Sequence, residues 1–67
     1  MVRELQPYQQ RVVEEAGELD GRITRLENFL APSAAVTVTD EELDRLFRQL
    51  VAMKQYAAVL EERIAAF

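Results

Sequence analysis

The sequence predicts an all-α chain: an antiparallel hairpin of two long amphipathic helices, with a short N-terminal lead, that assembles into a helical homo-oligomer. Three observations predict it. Two apolar stripes at helical spacing run through the chain, and a proline-bearing, small-residue segment separates them. The chain has 67 residues and neither Cys nor His, so no disulfide and no imidazole-bound metal can brace it. A domain of this size buries only about 60% of the surface of its unfolded chain, which leaves association as the route to useful stability.

The chain reads as a single helical domain over residues 1–67. After the lead, the first helix is expected over 7–30. Pro7 suits a first helical turn, where its missing N–H costs nothing. The apolar positions Tyr8, Val12, Ala16, Leu19, Ile23, Leu26 and Leu30 then recur at steps of four or three, one stripe held for more than three heptads. Glu14, Glu15 and Glu18 lie in the first half and Arg22 and Arg25 in the second, a polarity that suits the helix dipole. Glu18 and Arg22 are an i,i+4 pair in the favourable order. Pro32 ends the helix, because the residue before a proline is steered away from helical dihedrals.

The connection, 31–39, is small and β-branched and has no helical period. The stretch from Val36 to Thr39 is expected to be extended, although no second strand exists to pair with it. A link of this length suits an antiparallel helix pair.

The second helix is expected over 40–66. Thr39-Asp40-Glu41-Glu42 reads as a capping box, with the Thr39 hydroxyl on the third helical N–H and Glu42 reaching back. Val38 and Leu43 can staple the entry. The seam is Leu43, Leu46, Leu50, Met53, Ala57, Leu60, Ile64 and Phe67, and its steps alternate three and four. Glu41–Arg45 and Asp44–Arg48 are i,i+4 pairs on the polar side. Two further apolar rows, Phe47–Val51–Ala58 and Ala52–Tyr56–Val59–Ala66, exceed what a hairpin needs. They imply that the second helix is the central, most buried helix of an assembly.

Composition excludes several functions. A net charge of −4 argues against DNA or RNA as a partner, which requires a basic surface. No apolar run approaches the roughly 20 residues that span a membrane, and the start does not resemble a signal peptide. A soluble cytoplasmic protein is the expectation. No cofactor is expected. Enzymatic activity is not expected either: the adjacent carboxylates Glu14/Glu15, Glu41/Glu42 and Glu61/Glu62 diverge around a helix, and the chain has no phosphate-cradling loop and no nucleophile–base pair.

What remains is ligand binding or protein association. Seven of the eight basic residues are Arg, a bias that suits bidentate phosphate contacts but is also met by interfacial salt bridges. Arg22 and Arg25 are surface salt-bridge residues or, alternatively, one of them reaches a phosphate across a subunit boundary. Tyr8, beside Pro7, Gln9, Gln10 and Arg11, is a core-edge aromatic or a platform on which a base stacks. Gly17 and Gly21, one turn apart with Thr24 following, are weak points of the helix or places of close approach. Arg63, near the end of the second helix, is accounted for by the dipole alone.

The order of motifs is similar to that of a known family. Pro7-Tyr8-Gln9-Gln10-Arg11-Val12-Val13-Glu14-Glu15, Glu18-Leu19-Asp20 and Arg25-Leu26-Glu27-Asn28-Phe29-Leu30 are followed by Gln49-Leu50-Val51-Ala52-Met53-Lys54-Gln55-Tyr56 and by Leu60-Glu61-Glu62-Arg63-Ile64-Ala65-Ala66-Phe67. Across nearly the whole chain this resembles the small tailed-phage proteins that counter CBASS immunity by sequestering cyclic oligonucleotide messengers. The resemblance implies a helical homo-oligomer, a hexamer in that family, in the cytoplasm of the infected bacterial host. Such proteins take cyclic dinucleotides such as 3′,3′-cGAMP in pockets between protomers, and some take cyclic trinucleotides at a separate site, without cleaving them. By position, Tyr8 would stack on a base, flanked by Pro7 and Gln9. Arg22 would stand where the family carries a phosphate-binding cation, usually Lys, and Thr24 where a hydroxyl reads the base. Arg63 would belong to the trinucleotide site, with Gln9. The alternative is a non-enzymatic helical module that binds a host or phage protein.

Overall fold

The computed structural model describes residues 4–31 and 37–67. It contains two helices, α1 over Pro7–Phe29 and α2 over Asp40–Ala65, and no strand among the described residues. The helices run antiparallel: Tyr8 at the start of α1 meets Phe67 just past the end of α2, and Glu27 near the end of α1 meets Lys54 midway along α2.

Pro7 occupies the first turn of α1, after Gln6 in extended geometry. The Gln6 N–H donates to Gln9 Oε1 at 2.8 Å, which satisfies one of the donors a helix start leaves open. At the other end, the Leu30 N–H still reaches Leu26 O at 2.9 Å, and the Ala31 N–H turns to Asn28 O at 3.2 Å. Pro32 and most of the connecting segment, including Val36, lie outside the described residues, as does the start of the lead. Of the stretch expected to be extended, Thr37 lies in a turn and Val38 in a bend, and only Thr39 has extended dihedrals. The reason is local: with no neighbouring strand to bond, β-branched residues gain nothing from a straight backbone.

Thr39 caps α2, its Oγ1 accepting from the Glu42 N–H at 3.1 Å. The other half of the expected box is not made. The Glu42 carboxylate accepts from Arg45 Nε at 2.8 Å instead, because a charged guanidinium one turn on is a stronger donor than a neutral amide. Arg45 is thereby taken from Glu41, its expected i,i+4 partner. Asp44 and Arg48 do pair, at 3.0 Å. Glu18 and Arg22 form no ion pair among the described residues, as exposed i,i+4 pairs in water often do not.

Val12, Leu19 and Ile23 of α1 and Leu60 of α2 form the buried core, and Ala16, Leu50, Met53, Ala57, Ile64 and Phe67 pack around it. These are the two expected stripes facing each other. Leu60 is 1% exposed. Within one chain α1 is the more buried helix, not α2, because the extra rows of α2 face outward: Phe47 is 52% exposed and Val51 57%, and Tyr56 and Val59 are open too. The shape is a rod of 51 × 16 × 15 Å with a radius of gyration of 15.5 Å, against about 11 Å for a compact chain of this length.

Candidate functional site

The antiparallel pairing brings the start of α1 to the end of α2, and the candidate aromatic sits at that junction. Tyr8, the second residue of α1, is 51% exposed. Its ring lies 6.2 Å from that of Phe67 with an interplanar angle of 78°, an edge-to-face contact in the range favoured by ring quadrupoles. Phe67 is itself directed by the backbone. Its N–H donates to Ile64 O at 3.1 Å, and the Ala66 N–H donates to Glu62 O and Arg63 O, each at 3.1 Å. Gln9 Nε2 lies 3.5 Å from Tyr8 Oη, the outer limit of a hydrogen bond, while Gln9 Oε1 caps the helix. Pro7, Tyr8, Gln9 and Arg63 therefore occupy the same end of the hairpin. Arg63 is exposed there in the last turn of α2, where its charge also complements the helix dipole.

The other candidates lie elsewhere. Arg22 is fourteen residues beyond Tyr8 on the same helix, about 21 Å along the axis. Arg22 and Thr24 are exposed but stand two residues apart, so they point to different sides of α1. Within one chain no single ligand of messenger size touches Tyr8, Arg22 and Thr24 together. Arg22, Arg25 and Arg63 are in no ion pair among the described residues, so their guanidinium groups keep their donors.

The glycines have no internal explanation. Neither adopts a positive φ. A Cβ on Gly17 would meet nothing within 4 Å, and one on Gly21 would meet only the Arg25 guanidinium, in ordinary contact at 3.5 Å. The helix thus carries two residues that weaken it without a packing need inside the chain.

A second surface feature is an open depression at the start of α2, lined by Asp40, Glu41, Asp44, Arg45 and Arg48. It is at the opposite end of α2 from Phe67, and both arginines are already engaged by neighbouring carboxylates. It holds none of the candidate residues. No group of three or more metal-ligating side chains occurs among the described residues, and no described helix is long and apolar enough to cross a membrane.

Two relationships were not anticipated from the sequence. Phe67 lies on the expected seam, and its contact with Tyr8 is new. The cross-helix pair of Lys54 Nζ and Glu27 Oε2, at 2.9 Å, has no signal in the spacing of either helix. The signal for the first was present: Tyr8 opens one stripe and Phe67 closes the other, and an antiparallel hairpin brings those ends together.

A family model described as Sequestin matches residues 6–66 of the chain. The chain is also 43% identical over 60 residues to an uncharacterized 7.5 kDa protein encoded in the denB–rIIB intergenic region of enterobacteria phage T4, covering 90% of this chain and 94% of that protein. No solved structure matches.

Proposed function

The chain belongs to the Sequestin family, and from that premise we propose that it is a phage protein that binds and sequesters cyclic oligonucleotide immune messengers. It takes cyclic dinucleotides such as 3′,3′-cGAMP, and cyclic trinucleotides at a second site, holds them without cleavage, and so keeps them from CBASS effectors in the cytoplasm of the infected host. The family match across residues 6–66 carries the reading.

The chemistry of the exposed groups supports it. A cyclic dinucleotide offers two base faces and two phosphates. Tyr8 offers an exposed aromatic face, and Arg22 and Arg25 offer guanidinium donors. Because Tyr8 and Arg22 of one chain are about 21 Å apart along α1, a pocket containing both requires Tyr8 from one protomer and Arg22 from another. The reading therefore includes a homo-oligomer, proposed as a hexamer. The open faces of α2 support association. So does the accessible surface of 5282 Å², against about 4300 Å² for a folded monomer of this mass. The same exposed apolar faces also favour a second reading, a module that binds a host or phage protein.

Titration calorimetry with 3′,3′-cGAMP and with a cyclic triadenylate separates the two. Saturable heat, followed by recovery of intact messenger from the denatured complex, is the expected result. Absence of heat from a well-folded oligomer with both messengers would overturn the sponge reading and leave the interaction module.

A further inference from the structure

We propose that Phe67 is a positioning residue for the base-stacking face of Tyr8. The inference rests on the reading above that Tyr8 stacks on a base.

The two rings meet at 6.2 Å and 78°. In an edge-to-face pair one ring presents its edge and the other one face. Whichever ring gives the edge, at least one face of Tyr8 stays outside the pair, in keeping with the half of the side chain left exposed. A tyrosine on the first turn of a helix would otherwise exchange among staggered rotamers in solvent. Ordering it then falls on the ligand, and a side chain ordered in advance spares the ligand that loss.

Phe67 suits this role because it is tied at both ends. Its backbone N–H is held by Ile64 O, and its side chain packs against the buried core of the seam. The position of Tyr8 is thus set from the seam between the helices, through one residue beyond the end of α2. The geometry also explains why the stripe of α2 continues past Ala65, where the helix itself stops.

The test compares Phe67→Leu, Phe67→Tyr, Tyr8→Ala and the double variant Tyr8→Ala/Phe67→Leu by calorimetry with 3′,3′-cGAMP. Leucine keeps apolar volume on the seam but has no ring to pair with. We expect Phe67→Leu to weaken binding about threefold to tenfold, Phe67→Tyr to restore it, and Phe67→Leu to have no further effect once Tyr8 is Ala. Wild-type affinity in Phe67→Leu, with binding lost in Tyr8→Ala, overturns the role of Phe67 and leaves the stacking role of Tyr8 intact. Wild-type affinity in Tyr8→Ala overturns both. An equal loss from Phe67→Leu with and without Tyr8 places its effect elsewhere and also overturns the proposal. A ligand-free measurement stands beside these. The Tyr8 ring resonances are expected to move in Phe67→Leu while the methyl resonances of Leu19 and Ile23, farther along the seam, stay in place. A shift throughout the seam would make Phe67 a packing residue only.

Discussion

Lys54 on α2 reaches Glu27 on α1 at 2.9 Å, the only ion pair joining the two helices among the described residues. It spans the seam and shows which turn of α1 faces which turn of α2. Both side chains are about half exposed, so the attraction is screened and worth at most about 1 kcal/mol. Lys54→Ala is expected to lower the thermal midpoint by a few degrees in low-salt buffer. In about 1 M salt, where the Debye length is about 3 Å, it should lower it by nothing measurable. Circular dichroism melts at the two salt concentrations check this.

Thr39 holds the first turn of α2 through one hydrogen bond, and Glu42 does not reciprocate. The cap therefore stands alone. Thr39→Ala should cost about 1 kcal/mol, a loss of roughly 4–8 °C in melting midpoint for a domain of this size. Thr39→Ser should lose much less. Equal melts for the alanine and serine variants would show that the hydroxyl does not cap the helix in solution.

Gly17 sits on the outer face of α1 with open space where a Cβ would stand. If nothing approaches that face, Gly17→Ala raises helix propensity and stabilises the fold by roughly 1 kcal/mol. A higher melting midpoint is the expected outcome. A lower midpoint, together with a lower mass in solution, would place another chain's backbone against Gly17.

Phe47 and Val51 form an apolar strip that α1 does not cover. Phe47→Asp is expected to reduce the mass seen by light scattering and to lower the melting midpoint with it, because the rod alone buries little. A variant with wild-type mass would show that this face takes no part in assembly.

The parts of the fold set by periodicity are legible in the sequence. Val12, Leu19, Ile23 and Leu60 are buried where their three- and four-residue spacing requires, and Thr39 caps where its hydroxyl precedes an acidic turn. What escapes is competition among near-equal partners. Glu42 has both its own cap and Arg45 within reach, Arg45 has both Glu41 and Glu42, and a spacing rule does not rank them. Contacts between helices, such as Glu27 with Lys54, depend on the axial offset of the hairpin, which the stripes fix only to about a turn. The candidate site is less legible again. Tyr8, Arg22 and Thr24 are recognised as residue types, but their separation along one rod means that no single chain contains the geometry that would join them.

The slender shape of the rod also bears on how quickly the protein becomes functional. Its internal contacts lie within two helices and one seam, so the chain has few distant segments to bring together, and topology of this kind folds in microseconds to milliseconds. Encounters between separate chains are slower at low concentration. On the proposed reading, the lag between synthesis and messenger capture is a second-order process that shortens as copies accumulate. Refolding of a Tyr56→Phe variant, in which Tyr8 is the remaining tyrosine, followed by fluorescence at several protein concentrations would display it as a rate that rises with dose.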